Sequence, residues 1–195
     1  MNFLDKHFGR FGNRLFQSAF CYAYAREHGI DWYYQDPKWF EKYAEEIKQL
    51  FSEGIGYDDR VAIHVRRAGN PSNPNELNYS ENPFYVNLAD NTNYYEQAIT
   101  NFSSNDRFLV FSDDIEWCKS VLFLQGIQFD FSEGKTVEED LALMASCKGI
   151  IMANSSLSWW GAFLSNANKI IAPNVEHWYT DKIERTVCPK SWIRI

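Results

Sequence analysis

The chain has 195 residues and a formal net charge of −7, with 45% hydrophobic residues and seven Trp. That length and apolar content exclude a disordered chain and suit one domain, or one domain with a small extra lobe. The acidic balance, with no Lys- or Arg-rich run, excludes a nucleic-acid scaffold, so any bound anion must be held locally.

The opening MNFLDKHFGRFGN lacks the apolar core of a secretion signal, and no apolar run reaches the length of a membrane span. The expectation is a cytoplasmic protein. Cys21, Cys118, Cys147 and Cys188 show no C-x-x-C spacing and read as buried thiols rather than metal ligands or nucleophiles. In that compartment the sequons at Asn78, Asn101 and Asn154 are chance matches.

In chain order, the glycine turn Gly9 to Asn13 opens into a predicted helix, Arg14 to His28, with Leu15, Phe16, Ala19, Phe20, Ala23 and Tyr24 at helical spacing. Gly29 reads as its C-cap and Ile30 to Tyr34 as a strand. A glycine turn ahead of a helix suits an anion, or simply tight packing. Trp39 to Phe51 reads as a second amphipathic helix. Ser52 to Asp59 is the predicted boundary, dividing a small lobe of residues 1–60 from a domain of residues 61–195.

VAIHVRRAG, Val61 to Gly69, reads as a buried strand ending in His64, Arg66 and Arg67. The carboxyl end of a strand is where open α/β sheets bind ligands, and guanidinium groups fit a diphosphate. The plainer reading is an ion pair, with Asp59 or Glu133 as partner. A long polar segment, AGNPSNPNELNYSENPFYVNLADN, follows and reads as a lid or binding loop containing Glu76, Glu81 and Asp90. Next come a helix over Tyr94 to Phe102, a strand over Arg107 to Phe111 closed by Ser112-Asp113-Asp114, a helix over Ile115 to Phe123, and a strand over Ile127 to Phe131. Thr136 and Glu139 form a capping-box pattern for a helix over Val137 to Cys147, with Asp140 near its start. Gly149 to Ala153 reads as a strand and Trp159 to Asn166 as a helix. Between them, Asn154-Ser155-Ser156-Leu157-Ser158 suits a phosphate cradle, or Ser156 or Ser158 simply caps the helix. Lys169 to Ala172 is the last predicted strand, and the aromatic tail through Trp178 and Trp192 is expected to pack across the sheet.

Strand and helix alternate from residue 61 onward, with polar clusters after three strands, which predicts a doubly wound parallel sheet with those clusters on one edge. GRFGNRLFQSAF, HVRRAG, FLVFSDDIEWCKS, EEDLALMASCKGIIMANSSLSWWGAFL and KIIAPNVEHWY, in this order, resemble the motif series of the α-1,2-fucosyltransferase family, glycosyltransferase family 11. The resemblance implies an α/β, Rossmann-like fold of GT-B type with a reduced first lobe. It also implies inverting, metal-independent transfer of L-fucose from GDP-fucose to a hydroxyl of an acceptor glycan such as a terminal galactoside, with no cofactor. Carried onto this sequence, Arg66 holds the diphosphate beside Arg67, His64 and Asp140 contact guanine, Ser155 and Ser156 meet the β-phosphate, and Gly12-Asn13 approaches the nucleotide sugar. Asp113 and Asn154 fall in the same donor-site motifs. Ala68 and Gly69 stand where the family carries Gly-Asp after the arginines, which leaves Glu76, then Glu81, as the expected general base. A binding protein for GDP-sugars, inactive alone or completed by a partner chain, is the alternative. A serine hydrolase is set aside because NSSLS is not a G-x-S-x-G elbow and no His is placed to partner it.

Overall fold

The structure is a computed structural model that describes residues 12, 14–19, 23, 41–67, 85–121, 127–180 and 188–195. Helix α1 is described at residues 14–19. A 3-10 turn, Glu41–Tyr43, leads into α2 (Ala44–Phe51), which is followed by β1 (Asp58–Val65), α3 (Leu88–Asn91), α4 (Tyr94–Ile99) and β2 (Phe108–Ser112). Then come α5 (Ile115–Ser120), β3 (Phe129–Phe131), α6 (Val137–Ser146), β4 (Cys147–Ile151), α7 (Ser156–Leu164), β5 (Lys169–Ala172), a 3-10 turn at Val175–His177, and β6 (Ile193–Arg194). The six described strands form one sheet in the order β3-β2-β1-β4-β5-β6, and every pairing is parallel. This is the expected Rossmann-like α/β fold. Strand order reverses between β1 and β4, the kind of switch point at which open α/β sheets bind ligands.

Period-two alternation along the strands divides the core between the two faces of the sheet. Val61, Ile63 and Val65 pack with Leu88, Tyr94, Tyr95 and Cys118 on the α3–α5 side. Ala62, Leu109, Phe111 and Ile150 pack with α6 and α7 on the other. Phe16 of α1 and Ile47 of α2 join this second cluster, so the N-terminal helices share its core. Phe16 lies 4.7 Å from the Trp159 ring and 5.1 Å from that of Trp160, both tryptophans being fully buried. Gly161 follows them because a Cβ there would meet the Met144 Sδ of α6 at 2.6 Å. A side chain at residue 161 would therefore have to displace the Met144 thioether that packs α6 on α7.

The capping box is present as predicted: the Thr136 side chain accepts from Glu139 N, and Glu139 Oε2 accepts from Thr136 N at 2.7 Å. Several boundaries differ from the sequence reading. The segment before Tyr94 includes the short helix α3, started by Asn87, whose Oδ1 accepts from the amides of Ala89 and Asp90. Helix α5 stops at Ser120, with Val121 extended, and β3 begins at Phe129. Helix α7 starts three residues before Trp159 because Ser155 caps it, accepting from Leu157 N. The cap is therefore neither Ser156 nor Ser158, and Ser158 instead accepts from Ala153 N and donates to Ala153 O. The tail contributes more than packing. Trp178 and Trp192 are buried in the α6–α7 core, while Ile193 and Arg194 add a parallel edge strand beside Ile171 and Ala172. Cys118 and Cys147 are buried free thiols and Cys188 is buried, whereas Cys21 lies outside the described residues. Among the described residues, no helix is long and apolar enough to cross a membrane.

Candidate functional site

Strand β1 is interior, paired with β2 on one side and β4 on the other, and Val61 to Val65 are almost wholly inaccessible. A β-branched run buried on both faces suits such a position, and it rigidly fixes whatever leaves its end. His64 shares the Ala62 face; its carbonyl accepts the Tyr95 hydroxyl at 2.9 Å, whereas its Nδ1 is buried with no hydrogen-bond partner. Burial pushes its pKa from the ordinary 6.5 down to about 4, so the ring is neutral at pH 7. The unfolded chain takes up a proton at this residue between those values and the folded chain does not. Stability is therefore expected to fall by about 3 kcal/mol as pH drops from near 6.5 to near 4. Urea unfolding across that range checks this, with His64→Phe as the comparison. An equally steep loss in the variant would assign the effect to other groups.

Arg66 is buried, 8% exposed, and forms an ion pair with Asp113 at the end of β2. The Val65 to Ser112 register brings the two residues level as they leave the sheet. Asp113 Oδ1 also accepts from the Arg67 amide at 2.9 Å, so one carboxylate fixes the chain and the first guanidinium together. The Arg67 side chain turns elsewhere: its Nη1 donates to Asp114 at 2.7 Å, its Nε lies 3.5 Å from Asp90, and its guanidinium covers the Trp117 ring at 4.4 Å. Asp114 in turn caps α5 through Trp117 N. The ion-pair partners are thus Asp113, Asp114 and Asp90. Asp59 is exposed, and Glu133 pairs with Lys119 instead, because strand register brings β2 rather than those residues alongside the arginines.

The β4 end brings the second cluster to the same edge. Asn154 is buried, and its Nδ2 donates to the carbonyls of Val86, His177 and Trp178 at 2.7, 3.1 and 3.3 Å, tying two segments to the end of β4. Ser155 and Ser156 form the start of α7. Gly12 lies against them, because a Cβ there would come within 2.7 Å of Leu157 N, Ser156 C and Ser156 Oγ. Two of those atoms are backbone and cannot step aside, so the glycine is required for this close approach. Asn13, Glu76 and Glu81 lie outside the described residues.

Asp140, in the first turns of α6, lines a cleft of about 370 Å³ with Ser112, Ser132, Lys119 and Lys135. Its Oδ1 accepts the Ser132 hydroxyl at 2.6 Å, and burial raises its carboxyl pKa above 3.8. The structure therefore joins Arg66 and Arg67 with Asp113, and Gly12 with Ser156. It puts Asp140 in a cleft with Ser112, next in sequence to Asp113. The sequence reading missed Asp114, Trp117 and Asp90 as partners of Arg67. It also missed Ser132, whose signal was available: like the three clusters noted, it is a polar residue closing an apolar strand.

A model described as glycosyl transferase family 11 matches residues 7–195. An alpha-1,2-colitosyltransferase of Escherichia coli is 31% identical over 183 residues, covering 84% of this chain and 61% of the relative. An O-antigen biosynthesis glycosyltransferase, WbnK, also of Escherichia coli, is 30% identical over 140 residues, 69% of this chain and 44% of the relative. The chain therefore spans less than two thirds of either relative. No solved structure matches. With a family model matched over nearly its whole length, and a relative 31% identical over 84% of it, the chain belongs to glycosyl transferase family 11.

Proposed function

We propose that the chain transfers L-fucose, with inversion and without a metal, from GDP-fucose to a hydroxyl of an acceptor glycan, forming an α-1,2 linkage to a galactoside. The observation that carries this reading is the buried Arg66, braced by Asp113 at the carboxyl end of β1 beside the strand-order reversal. When the acceptor oxygen attacks C1 of the sugar, the bond from C1 to the β-phosphate oxygen breaks and GDP leaves with the electron pair. Arg66 stabilises the negative charge that develops there, aided by Ser155, Ser156 and the amides that start α7. His64, neutral and with a buried nitrogen lacking a partner, and Asp140, a carboxylate that accepts from N1–H and the 2-amino group, contact guanine. Glu76, or else Glu81, takes the acceptor proton. Asp113, Arg67 and Asn154 hold this arrangement in place through the bonds described above. Residues 1–60 are a reduced first lobe, of which Gly12, packed against the start of α7, and Asn13 reach the nucleotide sugar.

The colitosyltransferase relative supports a second donor. Colitose is fucose without its 3-hydroxyl, so GDP-fucose and GDP-colitose should be tested side by side. The short span relative to both relatives supports a binding protein that turns over poorly or needs a partner chain. Calorimetric titration with GDP, with and without chelator, followed by a GDP-release assay with each donor and a galactoside acceptor, separates the readings. Chelator-resistant binding with turnover is expected. Binding without turnover favours the partner-dependent reading, and absence of binding overturns both.

A further inference from the structure

We propose that Ser132 is a positioning residue for purine selectivity, orienting the Asp140 carboxylate toward the base; this rests on the GDP-sugar reading above. Two independent anchors meet at this pair. On the strand side, Ser132 is 7% exposed and its amide donates to Val110 O at 2.9 Å, continuing the β3 to β2 ladder past its last paired residue. Its hydroxyl is thereby fixed to the edge of the sheet. On the helix side, Asp140 N donates to Thr136 O at 2.9 Å within a helix start locked by the capping box. The 2.6 Å bond from Ser132 Oγ to Asp140 Oδ1 joins the two.

Both residues line the same cleft of about 370 Å³, within the size range of small-ligand sites. A carboxylate can accept two parallel hydrogen bonds from N1–H and the 2-amino group only if its plane is set. A side chain on a helix surface otherwise rotates about χ2 through a broad range. Ser132 limits that rotation while leaving three of the four acceptor positions of the carboxylate to the ligand. The hydroxyl also favours the charged form, opposing the burial that raises the Asp140 pKa. The other charges at this cleft are Lys135 and Glu139 near Asp140, and the Lys119 ion pairs with Glu116 and Glu133 across it.

The test compares GDP with IDP, which lacks only the 2-amino group, and with ADP, by calorimetry on the whole chain. In Ser132→Ala the preference for GDP over IDP is expected to fall about tenfold, the scale of a hydrogen bond to a charged group. The acid limb of GDP binding should also move to higher pH, because Asp140 then protonates more readily. Ser132→Thr, which keeps the hydroxyl, should restore both. Urea unfolding of each variant identifies a general loss of structure, which would weaken all three nucleotides alike and leave the pH profile unmoved; that pattern overturns the proposal. So does Ser132→Ala with an unchanged GDP to IDP ratio, while the wild type still binds GDP. A wild type indifferent to GDP overturns the functional reading and this inference with it.

Discussion

Replacing Arg66 by alanine is expected to lower GDP affinity at least 100-fold and to abolish measurable transfer. Removing one preorganised charge-stabilising group from a desolvated site costs about 3–4 kcal/mol, and a guanidinium on a diphosphate is at the upper end. On the diphosphate reading a second effect adds to the first, because Asp113 loses this ion pair and keeps its negative charge on the same edge. Arg66→Lys should recover little, since an ammonium keeps the charge but not the planar fork. The double variant Arg66→Ala with Asp113→Ala should be more stable than the single arginine variant, because breaking half of a buried pair is worse than removing both halves. Calorimetry with GDP and urea unfolding on the three variants measure these effects. Wild-type affinity in Arg66→Ala would remove the diphosphate assignment. In that event Arg66 and Asp113 would be a structural tie between β1 and β2.

Trp160→Ala is expected to destabilise the fold by about 3–5 kcal/mol, a large part of the stability of a domain this size. Trp160 is completely buried and sits between α1, α2 and its own helix, 5.1 Å from the Phe16 ring and 5.9 Å from that of Phe51. The cavity left behind could not close easily, because Trp159 is held in turn by Phe163 at 5.0 Å and Trp192 at 5.7 Å. Urea unfolding gives the loss directly. A second readout is GDP affinity: Trp160 lies in the helix that Ser155 caps and Ser156 begins, so loosened packing should weaken binding even where the variant remains folded. A loss below about 1 kcal/mol would mean the cluster repacks and does not anchor the N-terminal helices.

Much of this arrangement was legible in the sequence because local chemistry determined it. VAIHV could hardly be anything but an interior strand, and Thr136 with Glu139 had only one use. The spacing of strands and helices after Val61 admits a right-handed, parallel arrangement and little else. That arrangement alone brings the residues after β1, β2 and β4 to one edge. The match of the motif series to family 11 was likewise readable without coordinates, being a property of residue order.

Pairing between segments distant in sequence was not legible. Asp113, 47 positions after Arg66 by number, became its counter-ion because Val65 and Ser112 are register partners. Nothing in either segment favours that carboxylate over Asp59 or Glu133. The same holds for Ser132 and Asp140, for the Asn154 amide shared among three carbonyls, and for Gly12 against the Ser156–Leu157 peptide. The edge strand Ile193–Arg194 is two residues long, too short for any periodicity, and exists because Ile171 and Ala172 offer unpaired backbone beside it. Residue type and order determined the elements, the fold class and the family. Sheet register and helix docking, which depend on the whole core at once, decided which charges face each other.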